Sequence, residues 1–177
     1  EDVLGLVEEL GEAGFLDDDR FRGMWEAARA DFMANEIRAP RFAGVLYPAD
    51  PAALQAMLGA ALPTPTARVS RSSEVVGVLL PYQPIEGHVA ALLDTCLRGL
   101  PPAEQIDLVV LLGTDHHPGR LPFAVTDKSY GTPLGPVPSD AALVDDLERR
   151  MPWIRREELR HREAISLELA AVTLRRL

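Results

Sequence analysis

Apolar side chains recur at helical spacing from the first residues of the chain. Val3, Leu4, Val7 and Leu10 fall on one helix face, Gly14 interrupts the run, and Phe21, Met24, Trp25, Ala28 and Phe32 mark a second face. Asp17, Asp18 and Asp19 stand where the second helix would begin, offering a capping carboxylate and first-turn acids. Met24 and Trp25 read as packing residues of that stripe. The spacing predicts a short helical segment over residues 1–37, too small to hold a core by itself. It is expected to pack on the remainder or to be the tail of an N-terminal domain.

Beyond Pro40 the pattern changes. Asp50 followed by Pro51 is a helix start, and Leu54, Met57, Leu58 and Leu62 give that helix a buried face. Pro63 to Ser73 is a linker without periodicity. Val75–Leu80 and Ile106–Leu112 are continuous apolar runs, the pattern of strands buried on both faces. Between them lie the turn-rich Pro81–Gly87 and an apolar helix over His88–Leu97, so the order is strand, loop, helix, strand. Leu121–Val125 reads as a third strand and Gly131–Gly135 as a turn. Ser139 or Asp140 caps a helix to about Arg150. A last helix runs from about Arg155 with Ile165, Leu169, Val172 and Leu177 on one face. The expected fold class is α/β: a mixed sheet flanked by helices over residues 38–177, preceded by the short helical segment.

Composition narrows the function. At 177 residues, 47% hydrophobic and 25% charged, the chain has enough apolar side chains for a core. The net charge of −9 argues against a nucleic-acid footprint, which needs clustered cations. Arg155, Arg156, Arg160 and Arg162 do gather, but Glu157, Glu158 and Glu163 balance them, as on a solvated helix face. The one cysteine, Cys96, rules out a disulfide within the chain and suits a reducing compartment, so a cytoplasmic location is expected. No stretch reaches the apolar length of a membrane span, and no signal-peptide pattern is visible.

In open α/β sheets, ligands bind outside the carboxyl ends of strands. Here those ends are Pro81-Tyr82-Gln83-Pro84 and Gly113-Thr114-Asp115-His116-His117. The imidazoles and carboxylate of the second loop suit a borderline metal such as iron or zinc. Catalytic metal sites take three protein ligands or more, and adjacent histidines on extended backbone point apart. The alternative is a polar loop whose histidines are partly solvated. His88 could reach the same crevice from the start of its helix, or lie near the surface. His161, between Arg160 and Arg162, reads as a surface ion-pair partner.

Several landmarks occur in an order that resembles the Memo family, and within it the bacterial branch called AmmeMemoRadiSam system protein B. Ala43-Gly44-Val45-Leu46-Tyr47-Pro48-Ala49-Asp50-Pro51 resembles the family's AGxxYPADP, and Leu112-Gly113-Thr114-Asp115-His116 its LGTxH. Thr132-Pro133-Leu134-Gly135 with Val137 and Asp140 resembles TPLGxVxxD. The resemblance runs from about Arg38 to Leu177. It implies a mixed α/β fold related to the LigB extradiol dioxygenases. It also implies a pocket of histidines at strand ends that holds iron or copper in some members, completed by residues late in the chain.

Carried over residue by residue, that pocket is degenerate. Tyr82 stands where the family has its first histidine ligand, and His116 matches the second. The family's HxREHSxE segment aligns with His161-Arg162-Glu163-Ala164-Ile165-Ser166-Leu167-Glu168, so its pocket Glu and His become Ala164 and Ile165. The late ligands would lie beyond Leu177, and the domain is expected to be incomplete at its C-terminus. A single imidazole does not hold a divalent metal against water. Tyrosinate ligates iron elsewhere, but two changed positions favour packing over coordination. No cofactor is therefore expected. The leading expectation is a non-catalytic pseudoenzyme: a binding or structural subunit of a larger complex, whose sheet a protein partner or a second copy completes. The alternative is a metal-dependent oxidoreductase of the extradiol type, with iron or copper on His116 and with His117 or His88 as acid/base. Asp115 would line either pocket.

Overall fold

The computed structural model describes residues 3–62, 77–116 and 119–175. The chain divides into two compact units, residues 1–36 and 37–177. In the first, α1 (Val3–Glu12) and α2 (Asp19–Ala34) form where the apolar spacing places them. The Asp18 carboxylate accepts from the Phe21 N–H at 2.8 Å, satisfying one of the amides that a helix start leaves open. Gly14 turns the chain between the helices at a φ of 75° that a side chain would disfavour.

In the second unit the same local rules set the helices. Asp50 caps α3 (Pro51–Ala61) through the Ala53 N–H at 2.8 Å, and Asp140 caps α5 (Ala141–Arg150) through Leu143 N–H at 3.0 Å. Between them runs α4 (Gly87–Leu97), and α6 (Ile165–Leu174) follows α5. The core gathers Tyr47, Leu54, Leu58, Leu62, Ile85, Leu93, Leu169 and Val172, so the face predicted for α3 and, as far as Val172, that predicted for α6 pack inward; Leu177 lies outside the described residues. Among the described residues, no helix is long and apolar enough to cross a membrane.

The sheet is smaller than the apolar runs predict. Two short strands, β1 (Ile37–Arg38) and β2 (Ser129–Tyr130), pair in parallel with Ile37 opposite Ser129 and Arg38 opposite Tyr130. Tyr130 also exchanges backbone bonds with Val137 at 2.9 and 2.8 Å, an antiparallel bridge. Of the run Val75–Leu80, residues 75 and 76 lie outside the described residues, and 77–80 join no ladder. Ile106–Leu112 is not a strand either; Val110 is 68% and Leu112 86% exposed. Leu121–Val125 contributes one backbone-to-backbone bond, Val125 N–H to the Ile154 carbonyl at 3.1 Å, and no strand. β-branched composition marks a segment able to pair, but a strand exists only where a neighbour takes up its N–H and C=O groups. The result is a helix-rich unit with a small parallel pair, compatible with α/β. The larger mixed sheet is not formed among the described residues.

The last helix also starts later than expected. Residues Glu158–Glu163 form a 3₁₀ helix, and α6 begins only at Ile165. Tertiary bonds hold this stretch: the Glu157 carboxylate accepts from the Arg120 N–H at 2.9 Å and the Leu121 N–H at 3.2 Å.

Candidate functional site

Three segments of the second unit converge on a cleft of about 300 Å³: Phe42, the stretch Thr114-Asp115-His116, and Glu163-Ala164-Ile165 at the entry to α6. The close approach depends on a glycine. A Cβ on Gly113 would lie 2.5 Å from both Leu167 Cγ and Ser166 Oγ, so only glycine lets the segment lie against the first turn of α6. The Ser166 hydroxyl then donates to the Thr114 carbonyl at 2.9 Å.

Asp115, His116 and Glu163 at the rim each have a partner. The Tyr82 hydroxyl and His116 Nε2 are 2.5 Å apart, with ring centroids separated by 5.3 Å and planes inclined at 49°. Asp115 is ion-paired with Arg160, which also donates to the Leu121 carbonyl at 2.9 Å and pairs with Glu157 at 2.9 Å. The two backbone N–H groups on Glu157, with Arg160 beside it, hold its carboxyl below the usual range. Glu163 meets Arg41 at 3.1 Å and Arg162 at 2.7 Å.

Behind the cleft lies a buried ion pair that sequence reasoning missed. Arg38 and Glu168 are 1% and 0% exposed and bond to each other. The Glu168 carboxylate also accepts from the Arg41 N–H at 3.0 Å, the Phe42 N–H at 2.8 Å and the Tyr47 hydroxyl. Arg38 donates further to the carbonyls of Ala39 at 2.8 Å, His161 at 3.0 Å and Arg162 at 3.0 Å, and lies 5.1 Å from the Tyr130 ring centroid. The pair thus ties the Phe42 wall of the cleft to the turn that presents Ala164. Burial and the adjacent Glu168 raise the Tyr47 hydroxyl far above the ordinary tyrosine value. A signal was present: Glu168 is the one charged residue in the helix Ile165–Leu174, and a carboxylate there demands a partner.

His161 is not the surface ion-pair partner expected of it. It is buried, its Nδ1 2.8 Å from the Tyr130 hydroxyl and its Nε2 3.1 Å from the Ala124 carbonyl. A carbonyl only accepts, so Nε2 carries the proton and the Tyr130 hydroxyl donates to Nδ1. Burial lowers the His161 pKa below the usual histidine value. The neighbouring arginines do not form one solvated face. Arg155 is held by Asp127, Asp145 and Glu148, each at 3.0 Å, and of the four only Arg156 is exposed.

The structure therefore brings Asp115, His116, Ala164 and Ile165 to one cleft and sets Tyr82 against His116. His88 does not line it; it is exposed on the first turn of α4. His117 lies outside the described residues. The donors do not fit the iron or copper that the family resemblance implies. The cleft has one imidazole, already engaged by a phenol, two carboxylates engaged by arginines, and hydrocarbon at 164 and 165. Among the described residues no three histidine, cysteine or acidic side chains are grouped closely enough to hold a metal ion.

A second, larger hollow of about 1090 Å³ opens in the same unit. The run Leu108–Leu112 forms one wall, and Leu143, Val144 and Leu147 of α5 with Ala171 and Leu174 of α6 form much of the rest.

The "Memo-like protein" family model matches residues 38–177. A "MEMO1 family protein" of Aquifex aeolicus (strain VF5) is 25% identical over 181 aligned positions, covering 100% of this chain and 46% of the relative. A "MEMO1 family protein" of Archaeoglobus fulgidus is 30% identical over 135 positions, covering 75% of this chain and 47% of the relative. The chain spans about half the length of these curated relatives. No solved structure matches it significantly. The match over residues 38–177 takes in the Tyr47 and Glu168 network and the Gly113–His116 segment alike, and on it the chain belongs to the Memo family.

Proposed function

We propose that this chain is a non-catalytic binding or structural subunit of a larger assembly, in which a strand of a second chain pairs along Ile106–Leu112. The groove of about 1090 Å³ carries the reading, because one of its walls is that apolar run. Every residue from Asp107 to His116 is exposed, and Leu108 to Leu112 present five large aliphatic side chains in succession. Covering such a side chain fully contributes about 1.5–3 kcal/mol. An open apolar edge of this kind is an aggregation hazard unless something pairs with it. Added strands use backbone hydrogen bonds for affinity and side-chain pockets for register.

The chemistry of the cleft supports the same reading. An oxidoreductase of the extradiol type needs at least two ligands besides His116, and Ala164 and Ile165 supply none. Placement in the AmmeMemoRadiSam system protein B branch, and kinship with the LigB fold, rest on the motif resemblance. The lone thiol of Cys96 supports a cytoplasmic site of action.

Sedimentation velocity of the purified chain, with hydrogen exchange along residues 106–112, tests the proposal. Self-association that protects those amides is expected, and Val110→Asp abolishes it. A stably folded monomer with the amides unprotected overturns the reading.

A further inference from the structure

We propose that Tyr82 is a built-in cap on His116. Its phenol donates to Nε2, the lone pair through which that imidazole would bind a metal, and so closes the cleft to divalent ions. The inference concerns the cleft and stands apart from the partner reading, which concerns the groove.

The geometry supplies three parts. First, the Tyr82 oxygen and His116 Nε2 are 2.5 Å apart, in hydrogen-bond contact with no room for an ion between them. A neutral imidazole nitrogen is the stronger acceptor and a phenol the stronger donor, so the O–H donates and the His116 proton resides on Nδ1. Second, the rings are tilted at 49° with centroids 5.3 Å apart rather than stacked, which leaves the hydroxyl-to-nitrogen contact as the one that joins them. Third, Ile165 lines the same cleft as His116. Tyr82 thus touches the imidazole, and Ile165 shares its cleft from a separate segment. At the two positions where the family resemblance implies ligands, the chain has a phenol bonded to His116 and a hydrocarbon side chain.

The cleft is also held by contacts that do not involve its donors. Ser166 holds the Thr114 carbonyl at 2.9 Å, and Glu168 holds the Phe42 N–H at 2.8 Å. Exchanging the side chains at 82 and 165 leaves these two bonds in place, while both positions also pack on the core, so the fold of the variant is itself measured. Tyr82→Phe alone removes the cap but adds no ligand, and one imidazole is not a metal site. Tyr82→His with Ile165→His places imidazoles at both positions beside His116, three in all, the ligand number of an open tetrahedral site.

The probe is Co²⁺, whose visible absorption reports tetrahedral coordination, titrated into the full chain. Wild type is expected to show no saturable uptake and no visible band. Tyr82→His/Ile165→His is expected to take up about one equivalent with a visible band, lost again when His116→Ala is added. The proposal is overturned if wild type binds an equivalent that His116→Ala removes. It is overturned equally if the double variant, with an unchanged circular dichroism spectrum and Tm, binds none. Should the double variant not fold, the cap is read directly in wild type by ¹H–¹⁵N NMR of the imidazoles. His116 should show a protonated Nδ1 and a hydrogen-bonded Nε2 whose resonance moves in Tyr82→Phe. An Nε2 resonance unmoved by that substitution overturns the proposal.

Discussion

Replacing Glu168 by glutamine removes the charge at the centre of the second unit while keeping its shape. Four donors converge on that carboxylate: the Arg38 guanidinium, the N–H groups of Arg41 and Phe42, and the Tyr47 hydroxyl. Glutamine retains one acceptor oxygen and turns an NH₂ toward the donors of the other. It also leaves the Arg38 charge in place, on a side chain only 1% exposed. Breaking a buried pair from one side costs about 3–5 kcal/mol. A domain commonly has only about 5–15 kcal/mol in total, so Glu168→Gln is expected to remove a large part of its stability. Urea unfolding followed by circular dichroism measures this as a lower midpoint at unchanged slope. Arg38→Met/Glu168→Leu should recover part of the loss, because an apolar pair of similar volume leaves no buried charge alone. Recovery stays incomplete, since the Arg41 and Phe42 amides then lack their acceptor. A loss below about 1 kcal/mol in Glu168→Gln would refute the claim that this pair holds the unit together. So would a double variant whose loss equals the sum of the two single losses.

Three further outcomes follow from the same geometry. His161 is held neutral by burial, so the unfolded chain binds a proton there before the folded chain does. Its contribution is complete above the unfolded value of about 6.5 and declines as pH falls from there toward the lowered folded value. Thermal midpoints at about pH 7.5 and 5.5 should fall toward acid more steeply in wild type than in His161→Gln, and parallel profiles would count against the assignment. Gly113→Ala puts a methyl 2.5 Å from Leu167 Cγ and is expected to cost about 1–3 kcal/mol, read as a lower unfolding midpoint; a neutral substitution would mean that the segment is not seated on α6. Tyr47→Phe removes one hydroxyl from a buried carboxylate and should cost about 1.5–3 kcal/mol in the same assay, less than Glu168→Gln.

The helices were legible because what makes them is local. Asp18, Asp50 and Asp140 cap the helices that follow them, and apolar spacing names the buried faces of α3 and α6. The strands were not, because pairing is a property of two segments. Ile106–Leu112 has the composition of a buried strand and meets no ladder, whereas Ile37–Arg38 and Ser129–Tyr130, unremarkable as sequence, supply the parallel pair. Much the same division runs through the site. Motif order brought Tyr82, His116, Ala164 and Ile165 to attention, and the fold sets three of them around one cleft with Tyr82 against His116. What positions them is non-local: Arg38 reaches Glu168 across 130 residues of chain. His161 shows how a local reading errs. Its neighbours Arg160 and Arg162 make it look like part of a charged helix face. In a 3₁₀ helix residues three apart eclipse, so Glu158 and His161 share a side, and that side is buried. A run of mixed charges therefore says which residues are ionised and says little about which way they face; the turn period decides that, and only tertiary bonds such as those from Glu157 set the period here.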